Sequence, residues 1–564
     1  MGTTFPEWQA RCLKALLKLH DLEVALLIID DSAASQSAFH ISRMIEGEGL
    51  DKILFELYQR FVLKTRALRK VDLSSSLDEV ATIRCKPVKR GQSEYFSEAD
   101  LRVIREFQLD FIIKFGFGNL GGEILNAADY GVWTFCHFDE EKYRGGPVGF
   151  WEIYNNDSVT GASLRRLGDF ANAGVVLKKG FLKTISYSYP RNIDAICFES
   201  ARWPAQVCVD IRNGCASYLN HTPSNRDVPI LGTPGNAHFL IFVGRTLRNA
   251  LAAVYRLLFC QEHWNIGVVY APIVSFLEPN TKPSIRWLHE TSGRNHFLAD
   301  PFGIVKDNRL TIFCENFDYR TDRGIISSVE FFETMNPRLK AAIALPIHMS
   351  YPYLLEHENE IYCVPETYEA REISIYKAVT FPERWEKVAI VAMDFAGLDP
   401  TIFQHDGMWW LTCGNHDDVD NHNLYVWYAE DLIGPWKPHP ANPVKTDIRS
   451  ARPAGTPFIY NGSLIRPAQD QSGKYHCVVL SRVTRLTTTE FSEEPIATVK
   501  PEMDGPLPSG VHTLSAVGDI TLIDGKRSMF VRKGFEHEIA QLANGILRGL
   551  TGKTSVRSQR IVPR

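Results

Sequence analysis

Five segments in the second half of the sequence place polar or ionisable residues at matching positions, where they could form one catalytic site. They are Asp300 in ADP, Tyr351 in SYPY, Asp399 in LDP, Arg452 in RPAG and His512 in GVHT. Glycosidic chemistry needs one carboxyl group kept protonated for the leaving oxygen and a second, ionised group as base or nucleophile. Asp300, together with Glu366 or Asp399, is predicted to supply that pair.

Further charged residues follow at the ends of the neighbouring strand-like runs. Glu315 and Glu366 end the second runs of the first two segments, and Arg466 and Asp470 stand at the corresponding point of the fourth. Guanidinium groups bind phosphate and carboxylate through paired hydrogen bonds, so the arginines favour a ligand that carries such a group. An Asp in an A-D-P or L-D-P turn can equally cap the adjoining backbone. The predicted substrate-binding residues of this half are Tyr351, Arg452, Arg466, Asp470 and His512.

A repeated element has to bring these residues together, and the sequence contains one. From about residue 285, a strand, a polar turn and a second strand recur in units that begin at 296, 350, 398, 452 and 512. A period of about fifty residues with paired strands is typical of propeller blades. We therefore predict a five-bladed β-propeller in which the first residues of each innermost strand face a central funnel.

The first half alternates helix-like and strand-like segments. Residues 8–19 have helical spacing of apolar residues, 24–30 form a buried-strand run, and Ser97 caps a helix over 97–108. This order predicts an α/β domain with a largely parallel sheet. The predicted domains are an α/β domain over 1–220, a helical connector over 221–284, a propeller over 285–550 and a basic, disordered tail over 551–564.

Length and composition bound the class of protein. A chain of 564 residues is long enough for two or more domains. Its net charge of −4 gives no overall field that would gather nucleic acid or anionic lipid, and its apolar runs are shorter than a membrane span. The eleven cysteines are scattered singly, which favours a reducing compartment. We expect a cytoplasmic protein without an integral membrane segment, a nucleic-acid partner or a metal.

Residues of about 105–180 resemble the catalytic domain of the methionyl-tRNA and sugar formyltransferases. The likeness rests on Phe135-Cys136-His137, Arg144-Gly145-Gly146, Thr160-Gly161-Ala162-Ser163 and Asn172-Ala173-Gly174, in that order and at that spacing. It implies a Rossmann-type fold, His137 as a catalytic residue and Arg144 and Asn172 in the substrate site. The family has Asn where this chain has Phe135 and Asp where it has Asn172. The family's first strand also has no counterpart here, so the resemblance implies a degenerate site.

The second half resembles the propeller of the glycoside hydrolases that include arabinanases and β-xylosidases. The motifs SYPY, VPET, GPWKPHPANPV, ARPAG and RPAQD, joined to a formyltransferase-like domain, resemble the N-terminal region of glucosamine inositolphosphorylceramide transferases and their bacterial relatives. The hydrolases have an Asp on the second blade, where this chain has Tyr351. The resemblance implies a carbohydrate context.

Three functional hypotheses follow. The first is a carbohydrate-active enzyme that transfers or cleaves a glycosyl group of a glycoconjugate at the propeller pocket, beside a degenerate formyltransferase-like domain. The second is an N-formyltransferase of an amino sugar or sugar nucleotide, with the propeller binding the glycan. The third is a non-enzymatic glycan-binding scaffold. The cofactor stays open between 10-formyltetrahydrofolate and a sugar nucleotide, and so does the oligomeric state.

Overall fold

The structure is a computed structural model of the chain, and most of its ordered elements are β-strands. It describes residues 3–31, 50–91, 93–168, 174–221, 228–278, 283–289, 295–306, 308–330, 339–418, 422–473 and 475–531. The predicted basic tail over 551–564 lies outside the described residues. Among the helices that are described, none combines the length and the apolar character needed to cross a membrane.

The N-terminal half mixes helices and strands, as its sequence predicts. Its helices α1 to α7 are Glu7–Leu16, Ile53–Leu57, Ser74–Leu77, Glu98–Glu106, Phe150–Asn155, Tyr189–Ser200 and Trp203–Arg212. Its strands β1 to β11 are Thr4–Pro6, Leu26–Asp30, Lys70–Asp72, Ala81–Cys85, Val88–Arg90, Ser93–Tyr95, Ile112–Lys114, Asn119–Leu120, Val132–Cys136, Val159–Leu167 and Gly174–Lys183.

The main N-terminal sheet is mixed rather than largely parallel. Strands β7 and β9 pair in parallel, whereas β10 lies antiparallel to both β9 and β11. β10 and β11 follow each other directly along the chain. Without a crossover helix between them they can pair only as antiparallel neighbours. The predicted parallel pattern therefore holds for β7 with β9 and for the separate pair of β2 with β4.

A long helix, α8 (Asn236–Phe259), leads from the N-terminal half to the second half. Its first turns pack on the N-terminal core, where the rings of Phe150 and Phe242 stack with centroids 4.4 Å apart. The predicted connector over 221–284 is only partly helical, because residues Cys260–Val269 form a strand that pairs along its whole length with Ile520–Phe530. This strand cannot be recognised as part of the repeat, because its partner is more than 250 residues away.

Among the described residues, the second half contains five antiparallel sets of four strands, which we number sheets one to five along the chain. Four of them are separate sheets, and sheet three is part of a larger sheet of nine strands. Strands β12 and β13 are Cys260–Val269 and Ile285–Trp287. Sheet one consists of β14 to β17: His296–Lys306, Arg309–Asp318, Arg323–Glu330 and Leu339–Ile343. Sheet two consists of β18 to β21: Ser350–His357, Glu360–Glu366, Glu372–Thr380 and Arg384–Met393.

Three further sets of strands complete the second half. Sheet three consists of β22 to β25: Gly397–His405, Met408–Asn415, Asn423–Ala429 and Lys437–Pro438, and the short β26, Lys445–Asp447, pairs with its β24. Sheet four consists of β27 to β30: Phe458–Tyr460, Ser463–Asp470, Cys477–Leu486 and Phe491–Val499. Sheet five joins β31 (Leu514–Val517) and β32 (Ile520–Phe530) to β12 and β13.

The two halves of the chain share one continuous sheet. Residues Gly180 and Phe181 of β11 pair in parallel with Thr446 and Asp447 of β26, so sheet three continues into the N-terminal sheet. A buried polar contact lies next to this junction, with Nε2 of His422 placed 3.1 Å from Oε2 of Glu199. The sequence predicts separate domains, but backbone pairing and a buried polar contact join them.

Candidate active site

A repeated irregularity in the first strands of sheets one to three positions the first set of polar side chains. Asp300, Tyr351 and Asp399 each precede a proline, and each has a positive φ of 51°, 46° and 49° respectively. The pairing register of each strand shifts at that residue, which is the mark of a β-bulge. A proline cannot donate a ladder hydrogen bond, so the bulge falls at the same X-Pro step in all three sheets. The three bulges turn the side chains toward a common centre.

Sheets one and five meet at an ion pair between an imidazole and two carboxylates. Nδ1 of His512 lies 2.5 Å from Oδ2 of Asp524, and its Nε2 lies 3.5 Å from Oδ1 of Asp300. Thr513 donates its hydroxyl to Oδ1 of Asp300 at 2.7 Å. Burial alone would lower the pKa of His512, but the charges of Asp524 and Asp300 outweigh it and raise that pKa to about 9. The imidazole is therefore a cation at neutral pH.

An aromatic ring supports this cation. The indole of Trp264, on β12, stacks on the imidazole of His512 with centroids 3.9 Å apart and an interplanar angle of 24°. Ligand atoms of Asp300, His512 and Asp524 lie within 4.8 Å of one another, a spacing that a metal ion could use. Each ring nitrogen of His512, however, faces a carboxylate oxygen. This arrangement fits an imidazolium with two counter-ions better than a metal centre, where a ligating nitrogen must be unprotonated.

Sheets two, three and four meet at a second ion pair. Arg452 donates Nη2–H to Oδ1 of Asp399 at 3.1 Å and Nε–H to Oδ2 of the same carboxylate. The side-chain amide of Gln469 donates to Oδ2 of Asp399 at 2.6 Å. The backbone N–H of Asp399 is donated to Oε2 of Glu366 at 2.8 Å. Asp399 is therefore held on both sides and cannot turn away from the centre.

The carboxyl groups at the centre differ in how readily they ionise. Burial, and next the neighbouring charge of Asp399, raises the pKa of Glu366 to about 8. Burial, together with the charges of Asp300 and Glu366, raises the pKa of Glu315 well above its usual range. Burial also raises the pKa of Asp300, but only to about 6, because the charge of His512 opposes it. At neutral pH the site thus combines protonated glutamic acids with an ionised Asp300.

Tyr351 lies at the centre on sheet two, and two protein groups contact its hydroxyl. Its hydroxyl accepts the backbone N–H of Gly455 on the way into sheet four at 2.7 Å and lies 2.9 Å from Oγ1 of Thr401 on sheet three. The side chain is fully buried. Its hydroxyl thus links three sheets, and a substrate-binding role for Tyr351 stays a prediction.

Arg466 and Asp470 lie outside the central cluster. We use this name for Asp300, Glu315, Glu366, Asp399, Arg452, Gln469, His512 and Asp524. The guanidinium of Arg466 is 1% exposed and contacts Glu493 on the outermost strand of sheet four, with Nη2 2.5 Å from Oε1. The carboxylate of Asp470 accepts both the backbone N–H and the hydroxyl of Ser472, at 2.9 and 2.6 Å, in the turn after β28. The structure does not bring these two residues to the centre, and their binding roles stay a prediction. Strand alternation turns Arg466 to the far face of β28 and brings Gln469 to the centre instead.

The preference for an anionic ligand is not supported by the geometry either. Arg452 already pairs with Asp399, and its Nη2 lies 3.7 Å from Oε2 of Glu366. Carboxyl groups outnumber cations around it, so the site has no uncompensated positive charge for a phosphate. An uncharged sugar ring fits this balance better. The partly exposed groups at its edge are Arg452 and His512, whose side chains are 21% and 16% exposed.

Two of the predicted formyltransferase residues, His137 and Arg144, contact other residues of the N-terminal half. The imidazole of His137 lies against the rings of Trp8 and Phe135, and its Nε2 is 3.0 Å from Oγ of Ser200. Burial lowers the pKa of His137 to about 4, so it is neutral at pH 7. The backbone of Arg144 pairs with residues 229–231. Asn172 lies outside the described residues, and a formyl-transfer role for this region stays a prediction.

Two residues of the central cluster were not predicted from the sequence. Gln469 and Asp524 lie on second strands, β28 and β32, rather than at the start of the units. Asp524 is fully buried and also accepts the backbone N–H groups of His512 and Thr513. The sequence offered only a weak signal for either residue. Gln469 directly precedes Asp470, which was predicted instead, and Asp524 stands in a D-G pair that is typical of ordinary turns.

Comparison with known proteins finds similarity over part of the second half of the chain. A family profile described as the N-terminal part of glucosamine inositolphosphorylceramide transferase 1 matches residues 283–504. This range contains Asp300, Glu366, Asp399 and Arg452. It stops short of His512 and Asp524.

Curated relatives match over a similar part of the chain. Glucosamine inositolphosphorylceramide transferase 1 of Oryza sativa subsp. japonica is 37% identical over 213 residues, which is 36% of this chain and 28% of that protein. The Arabidopsis thaliana protein of the same name is 31% identical over 265 residues, 42% of this chain and 34% of that protein. The matched region thus spans about a third of each relative's length.

Solved structures with some likeness include glycoside hydrolases. A family 117 glycoside hydrolase of Zobellia galactanivorans shares 13% identity at a TM-score of 0.30, over 48% of this chain and 91% of that chain. A thermostable family-43 glycoside hydrolase shares 11% identity at a TM-score of 0.31, over 40% and 85%. TM-scores at this level are too low to support a functional conclusion.

Proposed function

We propose that the five sheets are blades of a five-bladed β-propeller whose central carboxyl groups transfer or cleave a glycosyl group of a glycoconjugate. The observation that supports this proposal most directly is that two carboxyl groups of one cluster differ in protonation at neutral pH. Glu366, with a pKa of about 8, holds its proton at neutral pH, whereas Asp300, with a pKa of about 6, is ionised. Glycosidic chemistry requires one group of each kind.

Each residue then has a distinct role. Glu366 donates its proton to the glycosidic oxygen as the bond to the sugar breaks, and Asp300 takes the proton of the acceptor hydroxyl, from a second sugar or from water. Asp399 is a positioning residue, because its backbone N–H binds Oε2 of Glu366 while Arg452 and Gln469 hold its carboxylate. Burial, and next the charge of Asp399, raises the pKa of Glu366 and keeps it protonated at neutral pH.

The comparisons support a glycoconjugate as the substrate. The relatives carry the name glucosamine inositolphosphorylceramide transferase 1, and the matched range includes Glu366 and Asp300. Their matched part is only about a third of their length, so their complete activity is not transferred to this chain. No observation in the N-terminal half favours formyl transfer, and that alternative is tested in the same experiment through His137.

The experiment is a screen of aryl glycosides, nucleotide sugars and formyl-folate, with products detected by chromatography and mass spectrometry. We expect wild-type protein and Glu360→Gln, a matched control at the exposed start of the same strand, to form a glycosyl product. We expect Glu366→Gln and Asp300→Asn to lose about a hundredfold or more in rate. Product formation that survives both changes, or that fails only in His137→Ala, would contradict the proposal.

A further inference from the structure

Helix α8 carries an apolar stripe that faces away from the protein. Its members are each between 43 and 63% exposed: Leu240, Ile241, Val243, Leu247, Leu251, Val254 and Tyr255. The opposite side of the helix buries Phe239 and Phe242 in the N-terminal core. The 24 residues of α8 make the helix about 36 Å long, so the stripe is much larger than the single exposed apolar residues of an ordinary surface.

The charges on α8 have one sign. Between Asn236 and Phe259 the helix contains Arg245, Arg248 and Arg256 and no Asp or Glu. Helical periodicity places these three arginines on the same flank of the stripe. Arg245 lies over the ring of Tyr154, Arg248 donates to the side-chain oxygens of Asn156 and Asn249, and Arg256 donates to the carbonyl of Ala252. Within the part of the chain that the structure describes, none of these guanidinium groups pairs with a carboxylate.

Aromatic rings extend the stripe at its C-terminal end. The ring of Phe259 lies 5.4 Å from that of Tyr255 and stacks 5.9 Å from that of Phe530. Phe530 is 69% exposed at the end of β32. Aromatic side chains favour the boundary between the acyl chains and the headgroups of a membrane. An apolar stripe, a flank of arginines and terminal aromatics are the combined features of a helix that lies in a membrane surface.

We propose that this face of α8 binds the surface of a membrane that contains anionic lipids. The boundary of the acyl chains would cover the aliphatic stripe, and lipid phosphates and carboxylates would neutralise the three arginines. The net charge of the chain is −4, but no acidic residue of α8 itself neutralises these arginines. The helix does not combine the length and the apolar character needed to span the bilayer. Binding at a membrane surface does not require a helix to span it. This proposal does not depend on the glycosyl chemistry of the central cluster.

The test is sedimentation of the full-length protein with vesicles of phosphatidylcholine, with and without phosphatidylserine. We expect binding to the anionic vesicles only, and its loss in the double variant Leu247→Glu with Leu251→Glu. Arg248→Gln with Arg256→Gln is expected to weaken binding by about fivefold per arginine. Met393→Glu, at a 71% exposed apolar residue on sheet two, is the control that leaves binding unchanged.

Other occupants of the stripe would overturn the proposal, and each has a distinct result. A second copy of the chain gives a dimer in light scattering that the double leucine variant dissociates, without vesicle binding. Residues 532–564 of the same chain give crosslinks to α8, again without vesicle binding. Equal binding to both kinds of vesicle would also contradict it, because the arginines would then have no role. Circular dichroism and thermal unfolding establish that each variant is folded.

Discussion

Arg452 and Asp399 form the contact that links the sheets around the candidate site. The guanidinium of Arg452, from the start of sheet four, donates two hydrogen bonds to the carboxylate of Asp399 on sheet three. The same aspartate donates its backbone N–H to Glu366 on sheet two. Removing Arg452 leaves the buried carboxylate of Asp399 without its counter-ion. The stability of the centre and the protonation of Glu366 therefore depend on the same pair.

Replacing Arg452 is the first test of this dependence. Arg452→Met is expected to lower the free energy of unfolding by about 3 kcal/mol, because Asp399 stays buried without its counter-ion. Urea denaturation measures the change. Adding Asp399→Asn should recover part of the loss, since it removes the uncompensated charge. Two additive losses would show that the residues are not coupled.

Replacing Arg466 tests whether this residue binds substrate, as the sequence predicts, or stabilises sheet four, as its contacts indicate. Its ion pair with Glu493 is buried on both sides, so Arg466→Met should destabilise the protein by about 3 kcal/mol while leaving the KM for a glycosyl substrate unchanged. Arg482→Met, which breaks an exposed pair with Glu494, serves as control and should change stability by less than about 1 kcal/mol. A raised KM with unchanged stability would return Arg466 to the binding site.

The pH dependence of stability tests the pair of His512 and Asp524. Below pH 6.5 the imidazole is protonated in both the folded and the unfolded chain, so its ion pairs contribute fully. As the pH rises from 6.5 through 9, the unfolded chain loses this proton first, and up to about 3 kcal/mol of stability is lost.

The variant Asp524→Asn isolates this contribution. Glu366 adds a decrease of the same sign between about pH 4.5 and 8, and it is unchanged in the variant. We expect the decline between pH 6.5 and 9 to become shallower, because burial alone would lower the pKa of His512. Urea denaturation of both proteins at several pH values provides the comparison. Parallel curves would show that Asp524 does not hold the proton.

The shared sheet predicts how the two halves unfold. Since β11 pairs with β26 and Glu199 contacts the fully buried His422, we expect one cooperative transition in calorimetry. Glu199→Gln should lower its midpoint without splitting it. Glu141→Gln, at an exposed glutamate of the same half, is the control. Two separate transitions in the wild type would show that the halves are independent.

The sequence predicts the placement of Asp300, Tyr351 and Asp399 well, because each residue stands before a proline at a fixed place in a repeated unit. It does not predict which side chains face the centre further along a strand. Arg466 and Gln469 differ by three positions on β28, and alternation sends them to opposite faces. The partners of Arg466 and Asp399 come from other strands and other sheets. Such long-range pairing, like that of β11 with β26, is not encoded in local periodicity.

The pH dependence of glycosyl turnover in wild-type protein and in Glu366→Gln tests the central claim most directly. The account predicts a wild-type rate that declines on the acid side as Asp300 is protonated near pH 6 and on the alkaline side as Glu366 loses its proton near pH 8. In Glu366→Gln the alkaline decline should disappear and the rate should be about a hundredfold lower. An unchanged rate and profile in a folded Glu366→Gln protein would contradict the account.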